Sequence, residues 1–137
     1  MKRRVFLSYA HTGQDPDVVE PRMRRLVQEF KKHSIDAYCN LDDPVTKGFK
    51  NPGKYVVHAL GELKKCDAVV AIKASAHKSE GQLMEIGAAL AWEKPVWLLM
   101  HESARGKTYI DDPDISKQVK YWNTEDDLVA KIEELTQ

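Results

Sequence analysis

Hydrophobic residues along this chain follow two alternating patterns. In the first, short runs are almost entirely apolar, which is typical of β-strands that are covered on both faces. These runs span residues 4–9, 35–39, 67–72 and 95–100, with a weaker candidate at 119–121. In the second, apolar residues recur every three or four positions, which predicts amphipathic helices. The helices are expected to begin near Asp15, Lys54, Ser79 and Thr124.

The order of these elements predicts the fold class. Strands that alternate with helices favour a parallel sheet whose connections cross over with right-handed geometry. A stretch rich in aspartate, glycine and proline at residues 40–53 marks a loop within this order. We therefore expect one α/β domain over residues 1–137, with a flavodoxin-like or Rossmann-like architecture. Its three layers would be a sheet of about five parallel strands with helices on both faces.

The helix that begins at Ser79 carries the most informative residue of the chain. Ser79 is followed three residues later by Gln82, which is the spacing of a capping box. An apolar stripe is expected on this helix at Leu83, Ile86, Leu90 and Ala91. The helix before it is expected to present Val56, Val57, Leu60 and Leu63. Glu85 lies beside this stripe, one turn after Gly81, so a carboxylate is predicted over small neighbours and open space.

Composition excludes several classes of protein. Lysine plus arginine and aspartate plus glutamate each number 21, so the formal net charge is zero and no basic surface favours nucleic acid. No segment is long enough to span a bilayer or to act as a signal peptide, so we expect a cytoplasmic protein without a membrane partner. Cys39 and Cys66 lack metal-ligand spacing, and so do the five histidines. Reduced thiols, no metal and no cofactor are therefore predicted.

Polar residues follow the predicted strands, where parallel sheets bind their ligands. The carboxyl ends of parallel strands meet at one edge, and ligands occupy the crevice outside that edge. Hydroxyl groups, a glycine and a helix N-terminus at this edge would suit a ribose or an anion. The candidate binding residues are Ser8, Tyr9, His11, Gly13, Asp42, Ser75, Ser79 and Gly81. Glu85 is expected to point toward the same edge.

Three segments of the chain resemble the nucleoside 2-deoxyribosyltransferase family and its nucleotide N-hydrolase relatives. They are Asp67 to Ala71, Glu85 to Ala91 and Lys94 to Val96, and the likeness extends over nearly the whole chain. The resemblance implies that Glu85 attacks the anomeric carbon of a nucleoside. It also implies that the turn from Ser79 to Gly81 holds the sugar or a 5′-phosphate, and that the chain assembles as a homodimer.

The sequence departs from that family at two places. The family's helper aspartate would align with Ala59, beside His58, and the first loop lacks the family's glycine-rich stretch. The segment from Phe6 to His11 is instead similar to the opening of a TIR domain, as is the spacing of Ser79 and Glu85. That second resemblance implies cleavage of NAD, or a module that binds nucleotides or assembles without catalysis.

Both resemblances imply the same bond chemistry. Cleavage of a bond between a sugar and a base passes through an oxocarbenium-like state, which a carboxylate below the sugar stabilises or traps as an ester. The departing base needs a proton, for which His58, His11 and Asp43 are candidates. The predicted partner is therefore a small nucleoside or nucleotide, or alternatively NAD. Trp92, Trp97 and Trp122 are expected near surfaces, which favours the homodimer.

Overall fold

The computed structural model describes residues 3–136, and its centre is a five-stranded parallel sheet. The strand order is β2-β1-β3-β4-β5, so the order reverses direction beside β1 and β3. Every pair of neighbouring strands is parallel, and Ser8 lies opposite Ala71 in the pairing of β1 with β3. The strands are β1 (Arg3–Tyr9), β2 (Ile35–Tyr38), β3 (Ala68–Lys73), β4 (Val96–His101) and β5 (Gln118–Trp122).

Four α-helices cover the two faces of this sheet. One apolar cluster joins α1 and α4 to one face, and a second joins α2 and α3 to the other. The helices are α1 (Pro16–Lys32), α2 (Pro52–Lys64), α3 (Glu80–Ala91) and α4 (Glu125–Thr136). This arrangement confirms the predicted three-layer α/β architecture. No helix within residues 3–136 is long and apolar enough to cross a membrane.

The helix starts follow from side-chain caps that the sequence displays. Asp15 accepts a hydrogen bond from the Asp17 amide, and Thr124 accepts one from the Asp127 amide. The helix α2 begins two residues before the predicted Lys54, because Asn51 caps it and Pro52 fits the first helical position. The predicted loop at residues 40–53 contains two short 3-10 turns.

The apolar stripe predicted on α3 is right at Ile86 and wrong at its other three residues. The helix buries Gln82, Ile86 and Ala89, whereas Leu83, Leu90 and Ala91 of the expected stripe are exposed. The reason is that the buried amide of Gln82 is fixed by hydrogen bonds, which rotates the helix away from the face that hydrophobicity alone favours.

Two other apolar expectations also fail. Val57 on α2 is 72% exposed, because the buried side of that helix passes through Leu60 and Leu63. Trp97 and Trp122 are buried in the core beside α1 and α4 instead of lying near a surface. Trp92, directly after α3, is the member of the predicted trio that remains exposed.

Candidate active site

A buried glutamine fixes the start of α3 against the sheet. The Ser79 hydroxyl accepts a hydrogen bond from the Gln82 amide, which forms the helix cap. The side chain of Gln82 does not complete the expected capping box. It instead donates to the carbonyl oxygens of Ser8 and Ile72, at the carboxyl ends of β1 and β3. This pair of bonds places the first turn of α3, and therefore Glu85, over the edge where ligands bind in parallel sheets.

Glu85 contacts the sheet through one oxygen of its carboxylate. The Ser8 hydroxyl donates a hydrogen bond of 2.6 Å to Glu85 Oε1. Within residues 3–136, no lysine or arginine pairs with Glu85 and no hydrogen bond reaches its Oε2. A Cβ atom added at Gly81 would meet nothing within 4 Å, so the space one turn before Glu85 is open.

Burial changes the acidity of this carboxyl group. It raises the pKa of Glu85 to about 7, against the opposing effect of the Ser8 hydrogen bond. No neighbouring positive charge compensates for the lost solvation, which is the usual reason for such a shift. A carboxyl group with this pKa is ionised in a substantial part of the molecules at neutral pH. Perturbed acids in clefts are candidates for catalysis.

Glu85 lines two adjoining cavities of about 100 and 90 Å³. Both cavities share five wall residues, and a wider groove of about 510 Å³ continues from two of them, His11 and Asn40. The shared residues are His11, Asn40, Ala59, Gly81 and Glu85. The cleft is therefore polar at one end and long enough to take a small molecule beyond the carboxylate.

The far wall of the cleft carries a chain of hydrogen bonds that ends at His58. The Nε2 atom of His58 lies 2.7 Å from Asp43 Oδ2, which also accepts a hydrogen bond from the Tyr38 hydroxyl. The Tyr38 hydrogen bond, helped by His58, lowers the pKa of Asp43. Asp43 therefore stays ionised and orients the imidazole, while Phe49 packs edge-on against the ring.

The structure gathers most of the predicted site residues at this edge. Ser8 holds Glu85, and Asp43 lies behind His58, which lines the cavity. The remaining residues found in the walls of the cleft are Tyr9, His11, Ser79 and Gly81.

Three predicted binding residues are absent from the walls around Glu85. Gly13 lies in an exposed turn, where its φ of 76° explains the glycine. Asp42 forms an exposed ion pair with Arg24 instead. Ser75 lines a separate small cavity and accepts a hydrogen bond from the amide of His77. The side chains that follow a strand do not all turn toward the same crevice.

The sequence does not reveal the roles of Tyr38 and Gln82 in shaping the site, and it indicates Asn40 only as a polar residue that follows β2. Asn40 accepts a hydrogen bond from the hydroxyl of Tyr9 and so keeps its amide N–H groups available to a ligand. Burial raises the pKa of Tyr9, which therefore remains a proton donor. Tyr38 and Gln82 were hidden because each looks like an ordinary strand or helix residue. Gln82 is a polar residue at a helix position that is buried against the sheet. A polar residue at such a position is the signal that could have revealed one of them.

Fold and site together define a class. A parallel sheet with a carboxylate of raised pKa at its carboxyl edge is the arrangement of an α/β protein that acts on a small ligand there. The family model for nucleoside 2-deoxyribosyltransferase matches residues 16–119. The chain belongs to this family, whose enzymes act on the bond between a base and its sugar. The match gives no support to the TIR alternative.

Solved structures share the fold. A CMP N-glycosidase from Clostridium botulinum is 23% identical with a TM-score of 0.69, over 97% of this chain and 99% of that one. A 2-deoxyribosyltransferase from Bacillus psychrosaccharolyticus is 17% identical with a TM-score of 0.61, over 92% and 90%. A de novo designed Rossmann 2x3 protein is 14% identical with a TM-score of 0.58, over 98% and 89%. A search of the curated proteins finds no match.

Proposed function

We propose that this protein cleaves the N-glycosidic bond of a nucleoside or nucleotide, with Glu85 as the nucleophile. The observation that carries the proposal is the Glu85 carboxylate, which is partly buried, free of any cationic partner in the described chain, and part of the cleft wall with no hydrogen bond to its Oε2. Family membership supports the same bond chemistry.

The proposed step moves two pairs of electrons, both at C1′ of the sugar. An oxygen of ionised Glu85 attacks C1′ and forms an ester bond as the bond from C1′ to the base nitrogen breaks. The electron pair of the broken bond stays on the base, which then takes up a proton. Water in hydrolysis, or a second base in a transfer, then attacks C1′ and breaks the ester bond, and its proton goes to the group that protonated the first base. In either case Glu85 is released as a carboxylate.

His58 is the group that best fits proton donation to the base. The lowered pKa of Asp43 makes that residue a poor donor at neutral pH and a good partner for a positively charged imidazole. His58 lines the same cavity as Glu85, and Ala59 next to it leaves room where the family resemblance expects an aspartate. We therefore assign proton donation to His58 and its orientation to Asp43.

The turn at the start of α3 is the proposed site for the sugar or its 5′-phosphate. Ser79 and Gly81 line the cavity next to Glu85, and the first amides of a helix are free to bind an anion. The structural neighbour from Clostridium botulinum acts on a nucleotide, CMP, which supports a phosphorylated substrate here as well.

A bulky residue at Gly81 should separate binding from folding. Gly81→Val is expected to raise KM at least about tenfold, because the added side chain enters the cavity beside Glu85. Stability should change little, since nothing lies within 4 Å of the added Cβ atom. Steady-state kinetics and thermal melts measure the two effects. The matched control is Gly87→Val, which also meets open space on α3. Global unfolding of Gly81→Val alone would show that Gly81 is a packing residue.

The proposal is tested by a direct assay for free base. The protein is incubated separately with ribo- and deoxynucleosides, their 5′-monophosphates and NAD, and the products are separated by chromatography. We expect release of a nucleobase from at least one nucleoside or nucleotide. Release of nicotinamide alone would support the NAD alternative, and tight binding with no release would support a nucleotide sensor. Both outcomes contradict the proposed substrate or activity.

We also propose that the chain forms a homodimer through the face made by α2 and α3. That face presents several large apolar side chains to solvent, beside the helix that carries Glu85. They are Val57, Leu83, Met84, Leu90 and Trp92. Exposed apolar groups clustered on one face mark interfaces, and aromatic residues dominate their energetics.

A charge on this face should disrupt the dimer. Trp92→Glu is expected to convert a dimer into a monomer at about ten micromolar, because it removes a large apolar contact and places a charge where the interface would have to bury it. Light scattering at several concentrations measures the change. Tyr109→Glu, an exposed aromatic on the loop after β4, is the matched control and should leave the mass unchanged. A monomeric wild-type protein at these concentrations would refute the assembly.

A further inference from the structure

The geometry of Asp43, His58 and Glu62 points to a binding site for a divalent transition-metal ion such as Zn²⁺, beside the Glu85 cleft. His58 and Glu62 are four residues apart on α2, so they lie on the same side of the helix, one turn from each other. Asp43 reaches them from the turn after β2. One ligand atom from each of the three residues lies within 4.8 Å of the others.

The donor set matches the chemistry of zinc. One imidazole nitrogen and two carboxylate oxygens give three protein ligands, which leaves a fourth position for water or substrate. Bonds of about 2.0–2.1 Å at tetrahedral angles place such donors about 3.3 Å apart. The present contact of 2.7 Å between His58 and Asp43 must open slightly, and Glu62 must turn inward. Tyr38 already orients Asp43 as an outer hydrogen-bond partner.

The cluster is accessible, and the cations around it are displaceable. An open cavity of about 270 Å³ borders Asp43 and Glu62 and gives an ion a route from solvent. Arg4 Nη1 and Lys65 Nζ each lie 3.4 Å from a Glu62 oxygen, so both compete with a metal ion for this carboxylate. These contacts are long, and the Lys65 side chain is 66% exposed, so its ammonium group leaves at little cost.

A metal ion bound at this site would affect the reaction because it would prevent His58 from donating a proton. A metal ion takes the Nε2 lone pair, so the ring cannot hold the second proton that a donor needs. Zn²⁺ should therefore inhibit base release, an expectation that rests on the proposed function. Metal binding itself does not rest on it, because binding is measured without substrate.

Calorimetric titration of the tag-free protein with ZnCl₂ tests the site. We expect one Zn²⁺ per chain, with no comparable binding of Mg²⁺, which prefers oxygen ligands. His58→Asn should abolish binding, and Glu62→Gln and Asp43→Asn should each weaken it at least about tenfold. Lys65→Gln should tighten it about two- to fivefold, because it removes a competing charge.

Two control variants test whether Zn²⁺ binds at this site or at carboxylates and histidines elsewhere in the chain. Glu133→Gln, on the exposed side of α4, and His33→Asn, after α1, should leave the titration unchanged. Circular dichroism verifies that each variant folds. The proposal is overturned if no Zn²⁺ binds, if binding survives in His58→Asn and Glu62→Gln, or if Mg²⁺ binds equally well. Zinc inhibition that persists in Glu62→Gln would assign the inhibition to a different site.

Discussion

Glu85→Gln is expected to lower the rate of base release at least about 1,000-fold, the scale of effect seen when a catalytic nucleophile is removed. The amide cannot form the ester with C1′, although it can still accept the hydrogen bond that Ser8 donates to Oε1. Single-turnover assays of the released base measure the loss. Glu133→Gln, which changes an exposed glutamate on α4, is the control and should keep full activity.

The same variant should be more stable than the wild type at alkaline pH. Burial raises the pKa of Glu85 from 4.5 to about 7, so the folded state holds its proton more tightly than the unfolded state. The cost of ionising the buried group is absent below pH 4.5, grows between pH 4.5 and 7, and is complete above pH 7. Glu85→Gln should therefore gain up to about 3 kcal/mol in unfolding free energy at pH 8.5.

At pH 4.5 the wild type and Glu85→Gln should unfold at nearly the same denaturant concentration. Chemical denaturation at the two pH values measures the difference. Replacement of a catalytic group that destabilises the fold raises stability and lowers activity. Replacement of a structural glutamate would lower both. Equal stability at both pH values would show that the carboxylate is well solvated in the folded protein.

The second large effect is expected at His58. His58→Asn should slow base release about 100- to 10,000-fold, the range for removing a general acid. His33→Asn is the matched control, on an exposed residue after α1. Base release by His58→Asn at close to the wild-type rate would assign proton donation to another group, with His11 the next candidate in the cleft.

Much of the fold could be predicted because its determinants are local. The runs at β1, β3 and β4 are apolar on both faces, and Asp15, Ser79 and Thr124 are side-chain caps that mark helix starts. These signals depend on neighbours within a few residues, so the chain shows them directly. The placement of Glu85 at the edge of the sheet follows from the same local order and the rule for parallel sheets.

The parts that could not be predicted depend on contacts between distant residues. Gln82 binds the carbonyl of Ser8, 74 residues away, and this contact sets which side of α3 is buried. Hydrophobic periodicity contains no information about such a bond, which is why Leu83 and Leu90 were assigned to the wrong face. Asp43 and His58 meet across 15 residues because a 3-10 turn and α2 fold against each other. In the structure these two candidates for proton donation form one hydrogen-bonded pair.

The most direct test of the central claim is the mass of the protein during turnover. A 2′-fluorinated analogue of a substrate found in the base-release assay slows the reaction by destabilising positive charge on the sugar, so an ester intermediate should accumulate. The account predicts that intact-mass spectrometry shows the protein with one added glycosyl group, that fragmentation places it on Glu85, and that Glu85→Gln never acquires it. An adduct on another residue, or base release by Glu85→Gln at the wild-type rate, would contradict the account.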